Sequence, residues 1–429
     1  LTEEQVGKLL KKQGNAYLTF IQTMVDSQLL DMEDVELASI CTRTGTPDSK
    51  ISRCFCITEK MIINNILKKT PSGMEMDINK AVESSRTEQK SIGIAKKYRF
   101  TVFFWLQDVV WKLGRWKTKE LDSFIVEYNP DIIFSVMSNS VYLNNLILHT
   151  KKVSGKKLVV YAWDNNYSLK QFMFSPFRWL KHFIDRASMR KVAKASDILY
   201  VISNVQKDDY NRAFKKECKL LTKSADFTQM PSLKTSYNNP LELVYTGNIE
   251  LNRWKSLVHI VNVLERINAN GTKARLRIYT GNTLTDKMNN ALNRGESSFV
   301  MGSVTSDKVI EIQRDADMLV HIEALDLKNK LTVRQSFSTK IVDYLAAARP
   351  ILAFGPKDVA SIEHFIINDC AIVADNEDEL FNKLNALISD YNKLNELSHK
   401  AFECGIKFHN KVDIDNMLRS DMEQLIKGV

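Results

Sequence analysis

Glycine is scarce in this chain, 15 in 429 residues, and proline is scarcer at 8. No internal repeat and no low-complexity segment is visible. A hydrophobic fraction of 44% and a charged fraction of 26% are ordinary for a folded protein, which argues against a fibrous or disordered chain. The six cysteines (Cys41, Cys54, Cys56, Cys218, Cys370, Cys404) match no zinc spacing, since Cys54 and Cys56 are too close for the usual pair and no paired histidines follow. They are too few for a disulfide framework in so long a chain, so a reducing compartment is expected. The seven histidines form no cluster. No G-x-G-x-x-G follows a strand, which argues against a dinucleotide-dependent oxidoreductase. No stretch is apolar over the ~20 residues a membrane helix needs. The most apolar, Phe100 to Leu113, is broken by Gln107 and Asp108. From Leu1 the sequence reads as polar helix (LTEEQVGKLLKK) rather than signal peptide, and the expected location is the cytoplasm.

What is present is positive charge and a regular alternation. The 60 Lys and Arg exceed the 51 Asp and Glu by nine. That surplus suits nucleic acid, an anionic membrane or a phosphate-bearing substrate, and does not choose among them. The length suits two or three domains. Gln5 to Leu30 has helical spacing of apolar residues. Strand-like runs then follow at Val35 to Cys41, Ile132 to Val136, Leu158 to Ala162 and Ile198 to Ile202, with helical sequence between them. Continuous β-branched runs separated by helices predict a parallel sheet covered on both faces. Residues 230–240 (MPSLKTSYNNP) read as a linker. The alternation restarts beyond it, with strands at Leu243 to Thr246, Leu276 to Tyr279, Met318 to Ile322 and Ile351 to Phe354. The expected fold class is α/β, with two Rossmann-like, doubly wound domains facing a cleft. Residues 1–229 would form the first and 241–410 the second, with a C-terminal helix, 411–429, returning to the first. Ligands of such sheets sit outside the carboxyl ends of the strands.

Two stretches carry candidate chemistry. In Ser336 to Leu345 (SFSTKIVDYL) a small polar turn enters a helix. Ser338 or Thr339 can cap it, and its first amides with Lys340 make a phosphate seat. Asp343, one turn in, can accept from two neighbouring hydroxyls such as a ribose diol. In a plain capped helix the same residue would only complement the dipole. In Tyr245 to Leu257 (YTGNIELNRWKSL) a strand ends at Gly247, which permits close backbone approach, and Arg253 and Lys255 open the next helix. An arginine fork and a lysine point charge suit a diphosphate. A solvated basic loop has the same composition. Gly281 ends the following strand.

Together these stretches resemble the nucleotide-binding half of glycosyltransferases of the two-Rossmann, GT-B fold, closest to retaining family 4 and to a bacterial polysaccharide-biosynthesis subgroup. The family is marked by two acidic residues eight positions apart, the second in a helix, then Ala/Gly-x-Pro. Asp343 through Ala348-Arg349-Pro350 matches the second half, and His321 to Asp326 with Ser336 to Gly355 extends the match. Asn129 to Asp131 and Tyr161 to Asp164 add points in the first half of the chain. The resemblance implies transfer of a sugar, with retention, from a nucleotide diphosphate sugar to a glycan acceptor carried on a lipid. It implies donor contacts from Gly247, Gly281, Gln335, Ser338, Thr339, Lys340 and Asp343. Arg253 and Lys255 would neutralise the leaving diphosphate, so no metal and no cofactor beyond the donor is expected.

The chain departs from the family in three places. Gln335 stands at the first acidic position, Ser338 replaces the glycine of the phosphate turn, and the opening strand with its glycine-rich loop is not recognisable after Leu1. These departures motivate an alternative, a non-catalytic homologue that binds glycan or stabilises a partner enzyme. Asp164 ends a strand and precedes Asn165-Asn166. It can orient an acceptor hydroxyl or take its proton, or simply close an Asx turn. Asp315-Ala316-Asp317 has the spelling of a metal-binding D-x-D but precedes a strand, the wrong end for a cleft ligand. His321 lies on a strand, either reaching the cleft or bonded in the core. In the run Phe174 to Lys194, cations interleave with Phe177, Trp179, Leu180, Phe183 and Ile184. The expectation there is an apolar stripe on the sheet and a basic face (Arg186, Arg190, Lys191, Lys194) toward an anionic membrane surface. Nucleic acid rests on charge alone and is not an expected partner.

Overall fold

A computed structural model describes residues 15–19, 35–42, 50–76 and 101–428. The first sheet contains β1 (Asn15–Thr19), β2 (Val35–Cys41), β3 (Ile51–Cys56), β4 (Met74–Met76), β5 (Ile132–Val136), β6 (Lys157–Ala162), β7 (Ile198–Val201) and β8 (Lys219–Leu220). Their spatial order is β4-β3-β2-β1-β5-β6-β7-β8, parallel except where β4 runs against β3. The second sheet contains β9 (Leu241–Thr246), β10 (Ala274–Tyr279), β11 (Ser298–Gly302), β12 (Met318–Ile322), β13 (Ile351–Phe354) and β14 (Ile372–Ala374). Its order is β11-β10-β9-β12-β13-β14, with every described pair parallel. The expected pair of Rossmann-like sheets is therefore present.

The opening of the chain corrects the sequence reading. Asn15–Thr19 is a strand, not part of a helix over Gln5 to Leu30, and it occupies the middle of the first sheet. Tyr17 lies opposite Leu37 of β2 on one side and Ile132 of β5 on the other. A short apolar run cannot be told from a helix by periodicity. Here flanking strands pair its backbone on both sides. The rest of that predicted helix lies outside the described residues, as does the stretch where a phosphate loop would follow; 20–34 contains no glycine.

Elsewhere local sequence and fold agree. Helix Lys119–Tyr128 starts at Thr118, whose Oγ1 accepts from the Leu121 amide at 3.2 Å, and ends at Asn129 in the left-handed region before Pro130. Strands β5, β6 and β9 are buried almost throughout, as expected of strands covered on both faces. The irregular segment 230–240 is pinned to the second sheet by Asp317. Its fully buried carboxylate accepts from Lys234, from the Asn238 side chain at 2.9 Å and from the Glu242 amide at 2.9 Å. Asp315 and Asp317 thus form the expected helix-to-strand turn ahead of β12. Helix Lys411–Lys427 packs on the first sheet, where the buried Asp421 accepts from Tyr200 Oη at 2.5 Å and Lys219 Nζ at 2.6 Å.

Helix Pro176–Ala195 reverses the expected orientation of its N-terminal half. Phe177, Leu180 and Phe183 are exposed, while Met189, Val192 and Ala193 are in the core. Two of the cations point inward instead. Lys181 is buried between Asp185 and Asp108, and Arg186 is buried with its guanidinium 3.9 Å over the Tyr167 ring and bonded to the Tyr167 carbonyl. A lysine with two carboxylates and an arginine with a ring and a carbonyl are satisfied when buried, so sidedness follows these pairs rather than hydrophobicity alone.

Candidate active site

Strands β9 and β12 are neighbours whose connections run to opposite sides of the second sheet, so a crevice opens at their carboxyl ends. Gly247 follows β9 and Glu323 follows β12. Helices Arg253–Ile267 and Lys340–Ala346 both begin at this end. Gly247 has φ +145°, and a side-chain carbon added there would overlap the Lys340 ammonium. Lys340 is half-buried as a residue, but its ammonium end lies inside, 4.9 Å over the Tyr245 ring and 3.4 Å from that hydroxyl. Burial, reinforced by Arg253, pushes the ammonium down to about 8, against the pull of Glu323 and Asp343.

Glu323 is 3% exposed and accepts from Arg253 Nε at 3.0 Å and Nη2 at 2.9 Å. Burial pushes its carboxyl up, and Arg253 opposes the shift. His321 on β12 is buried and pushed well below its ordinary value by that burial, so the ring is neutral; it is a core histidine 3.7 Å from Glu323. The crevice therefore holds two cations against one buried carboxylate. Burial first and Arg253 second depress the Lys340 ammonium, and a bound anion would favour its charged form.

Of the candidate residues, Gly247, Arg253 and Lys340 come together. Lys255 does not join them. It is exposed and lies 5.9 Å over the Trp254 ring, because residues two apart on a helix face different ways. Gly281 lies just beyond β10, the next strand, where an added side-chain carbon would meet only Ser303 Cβ, at 3.9 Å. The adjacent Asn282 ties that strand end to the Gly247 loop by accepting from the Ile249 amide at 2.8 Å. Neither Ser338 nor Thr339 caps its helix through a side chain, which corrects that expectation. Thr339 is already helical at φ −61°, and the Ser338 amide donates to Ser361 Oγ at 3.1 Å.

Asp343 faces the first sheet and accepts from Lys223 Nζ at 2.5 Å, with 41% of its side chain exposed. Gln335 is fully buried, and its partners come from the first half of the chain. Its amide donates to Asp209 at 2.5 Å, and its carbonyl accepts from Ser203 Oγ at 2.7 Å. Asp209 also pairs with Arg334. Asp164 is exposed after β6 and accepts from Ser336 Oγ at 2.9 Å across the cleft. Its Oδ1 also accepts from the Asn165 amide at 2.9 Å, so it terminates the strand and faces the second sheet at once.

Three members of this arrangement escaped the sequence reading. Glu323 lies within the stretch that carries the family resemblance, yet nothing local marks it as the partner of Arg253. Asp209, on helix Asn204–Phe214, and Lys223, just after β8, come from the first half of the chain and have no local signal. Comparison with solved structures shows the fold. Sucrose-phosphate synthase from Thermosynechococcus elongatus aligns with TM-score 0.60 and 10% identity, covering 97% of this chain and 100% of that one. The Anabaena protein HepE, solved with UDP, aligns with TM-score 0.62 and 10% identity, covering 96% and 100%. The fold is GT-B. A UDP-forming trehalose-phosphate synthase from Burkholderia vietnamiensis aligns over the same GT-B architecture, with TM-score 0.55, 10% identity and coverage of 96% and 100%. At such identities the likeness is one of fold. Residues 240–390 match the family profile described as Glycosyl transferases group 1, which spans the GT-B sheet carrying Gly247, Arg253, Glu323 and Lys340. Comparison with curated proteins finds no match.

Proposed function

We propose that this chain is a nucleotide-sugar-dependent glycosyltransferase that moves a sugar to a hydroxyl of a lipid-linked glycan in cell-surface polysaccharide synthesis, at the cytoplasmic face of a membrane. The observation that carries this reading is the convergence of Arg253 and Lys340 at the β9/β12 switch point, where the missing side chain of Gly247 makes room for the Lys340 ammonium. Bound there, a diphosphate leaving group would meet fixed positive charge in a partly dry site. That is where preorganised electrostatics contribute most to the barrier. Asp343 would accept the ribose hydroxyls, and Asp164 would orient or deprotonate the acceptor from the opposite sheet. Retention of configuration and independence from a divalent metal belong to the same proposal. The resemblance to retaining family 4 supports the first, and the paired cations support the second. UDP is the nucleotide to try first, since HepE was solved with it.

Titration of the purified chain with UDP, with and without a chelator, tests both binding and metal independence. Affinity that collapses with the chelator would refute the metal-free arrangement. Asp343→Asn should weaken UDP about tenfold, the lower end of a charge-assisted hydrogen bond, while leaving the melting temperature nearly unchanged. Its pair with Lys223 is 34–41% exposed, and such pairs contribute about 0–1 kcal/mol. A lowered melting point with unchanged affinity would make Asp343 structural. The burial of Gln335 against Asp209 favours a second reading, a non-catalytic homologue, since the first acidic position of the family pattern then offers the donor nothing. UDP binding without hydrolysis or transfer from any nucleotide sugar would establish that alternative.

A further inference from the structure

We propose that the outer helical face of the first sheet is a docking surface that buries aromatic and aliphatic side chains in an anionic bilayer. Phe174, Phe177, Leu180 and Phe183 are exposed by 86, 71, 51 and 53%. The last three recur along helix Pro176–Ala195 at the spacing that ordinarily faces a core. The neighbouring helix Thr101–Leu113 leaves Leu106 and Leu113 exposed by 53 and 67%, and helix Glu59–Lys68 leaves Leu67 exposed by 73%. These three helices are clasped together. Gln107 donates to Glu59 at 2.5 Å, and Lys181 reaches Asp108 at 3.0 Å. The apolar side chains thus belong to one assembled layer, whereas isolated exposed apolar residues would need no explanation.

Charge selects the occupant. Between Asn166 and Ala195 the sequence holds seven Lys and Arg and one acidic residue, Asp185, whose carboxylate is already taken by Lys181. Lys170, Arg190, Lys191 and Lys194 are exposed there. A second copy docked about a two-fold axis would set this cation excess against itself. An anionic headgroup layer complements it, and apolar residues flanked by cations are the signature of a helix lying in a membrane interface. Among the described residues no helix is long and apolar enough to cross a membrane, so the docking is peripheral. The inserted groups are therefore the apolar ones, with the basic side chains beside them. Arg186, expected at the membrane, is spent on Tyr167.

None of these side chains is among the crevice residues, and docking is read by sedimentation while nucleotide binding is read by UDP titration, so the two can fail separately. The full chain would be sedimented with phosphatidylcholine vesicles containing roughly a third phosphatidylglycerol, a composition that gives the surface a negative potential. Wild type should sediment with these and much less with phosphatidylcholine alone. The triple variant Phe174→Ser/Phe177→Ser/Phe183→Ser should partition about a hundredfold more weakly or worse, given the apolar area lost. UDP affinity and melting temperature should hold in the same variant, which shows that it folds. Three outcomes would overturn the proposal: a wild type that stays in the supernatant, a triple variant that sediments equally, or a wild-type dimer in solution that the triple variant dissolves.

Discussion

Gly247→Ala should abolish useful nucleotide binding, lowering UDP affinity by about a hundredfold or more, with a loss of stability of ~1–3 kcal/mol from forcing an L side chain into this backbone region. At φ +145° the residue lies where side chains are disfavoured, and the added methyl would displace the Lys340 ammonium from the cradle. Moving a lysine tip harms the fold little. It harms an anion site far more, because the charge is no longer held where the diphosphate lies. Gly155→Ala is the control. It ends helix Val141–Ser154 at φ +68°, with nothing within 4 Å of the added carbon. It should show strain in calorimetry and none of the binding loss. Equal UDP affinity in Gly247→Ala and wild type would refute the cradle.

Lys340→Met should move stability and binding in opposite directions. Burying an ammonium beside Arg253 is unfavourable, so the neutral, similarly sized side chain should raise the melting temperature at pH 7. The same change removes a charge-assisted contact worth ~1.5–3 kcal/mol, so UDP should bind about tenfold to a hundredfold more weakly. The pH dependence gives an independent check. The folded ammonium titrates at about 8 and the ordinary value is 10.5. Below 8 both states are protonated and the penalty is fully present. Between 8 and 10.5 the unfolded chain holds the proton and the folded chain does not, so this group makes stability rise with pH. That rise, measured as wild type minus Lys340→Met, should vanish in the variant. UDP affinity runs the other way, falling above pH 8 as the free protein loses the charge that the diphosphate needs. A flat affinity profile from pH 7 to 9 would mean that Lys340 does not touch the ligand.

Much of the architecture is legible along the chain. Ile132 to Val136, Leu158 to Ala162 and Met318 to Ile322 are apolar but for Ser135 and His321, and short runs of that kind alternating with helical sequence mark strands buried on both faces of a parallel sheet. Thr118 and Asn129 punctuate a helix, and Gly247 at a strand end with basic residues beyond it points to an anion site. Such features are written in contiguous residues because they arise from local backbone preference and from periodic burial. What contiguous residues do not carry is the identity of a partner that arrives from elsewhere. Asn15–Thr19 looks helical because nothing nearby in sequence shows that β2 and β5 will pair with it. The stripe of helix Pro176–Ala195 looks like core because Asp108 and Tyr167, which draw Lys181 and Arg186 inward, lie outside the helix. Arg253 meets Glu323, Asp343 meets Lys223, and Gln335 meets Asp209 across separations of 70, 120 and 126 residues. A charge's worth depends on its solvation and on the opposite charge within a few ångströms. The sequence by itself determined two doubly wound sheets and the glycine and cations at one strand end, whereas the tertiary structure alone decided which charges are neutralised, which stay exposed and which apolar face is left toward solvent.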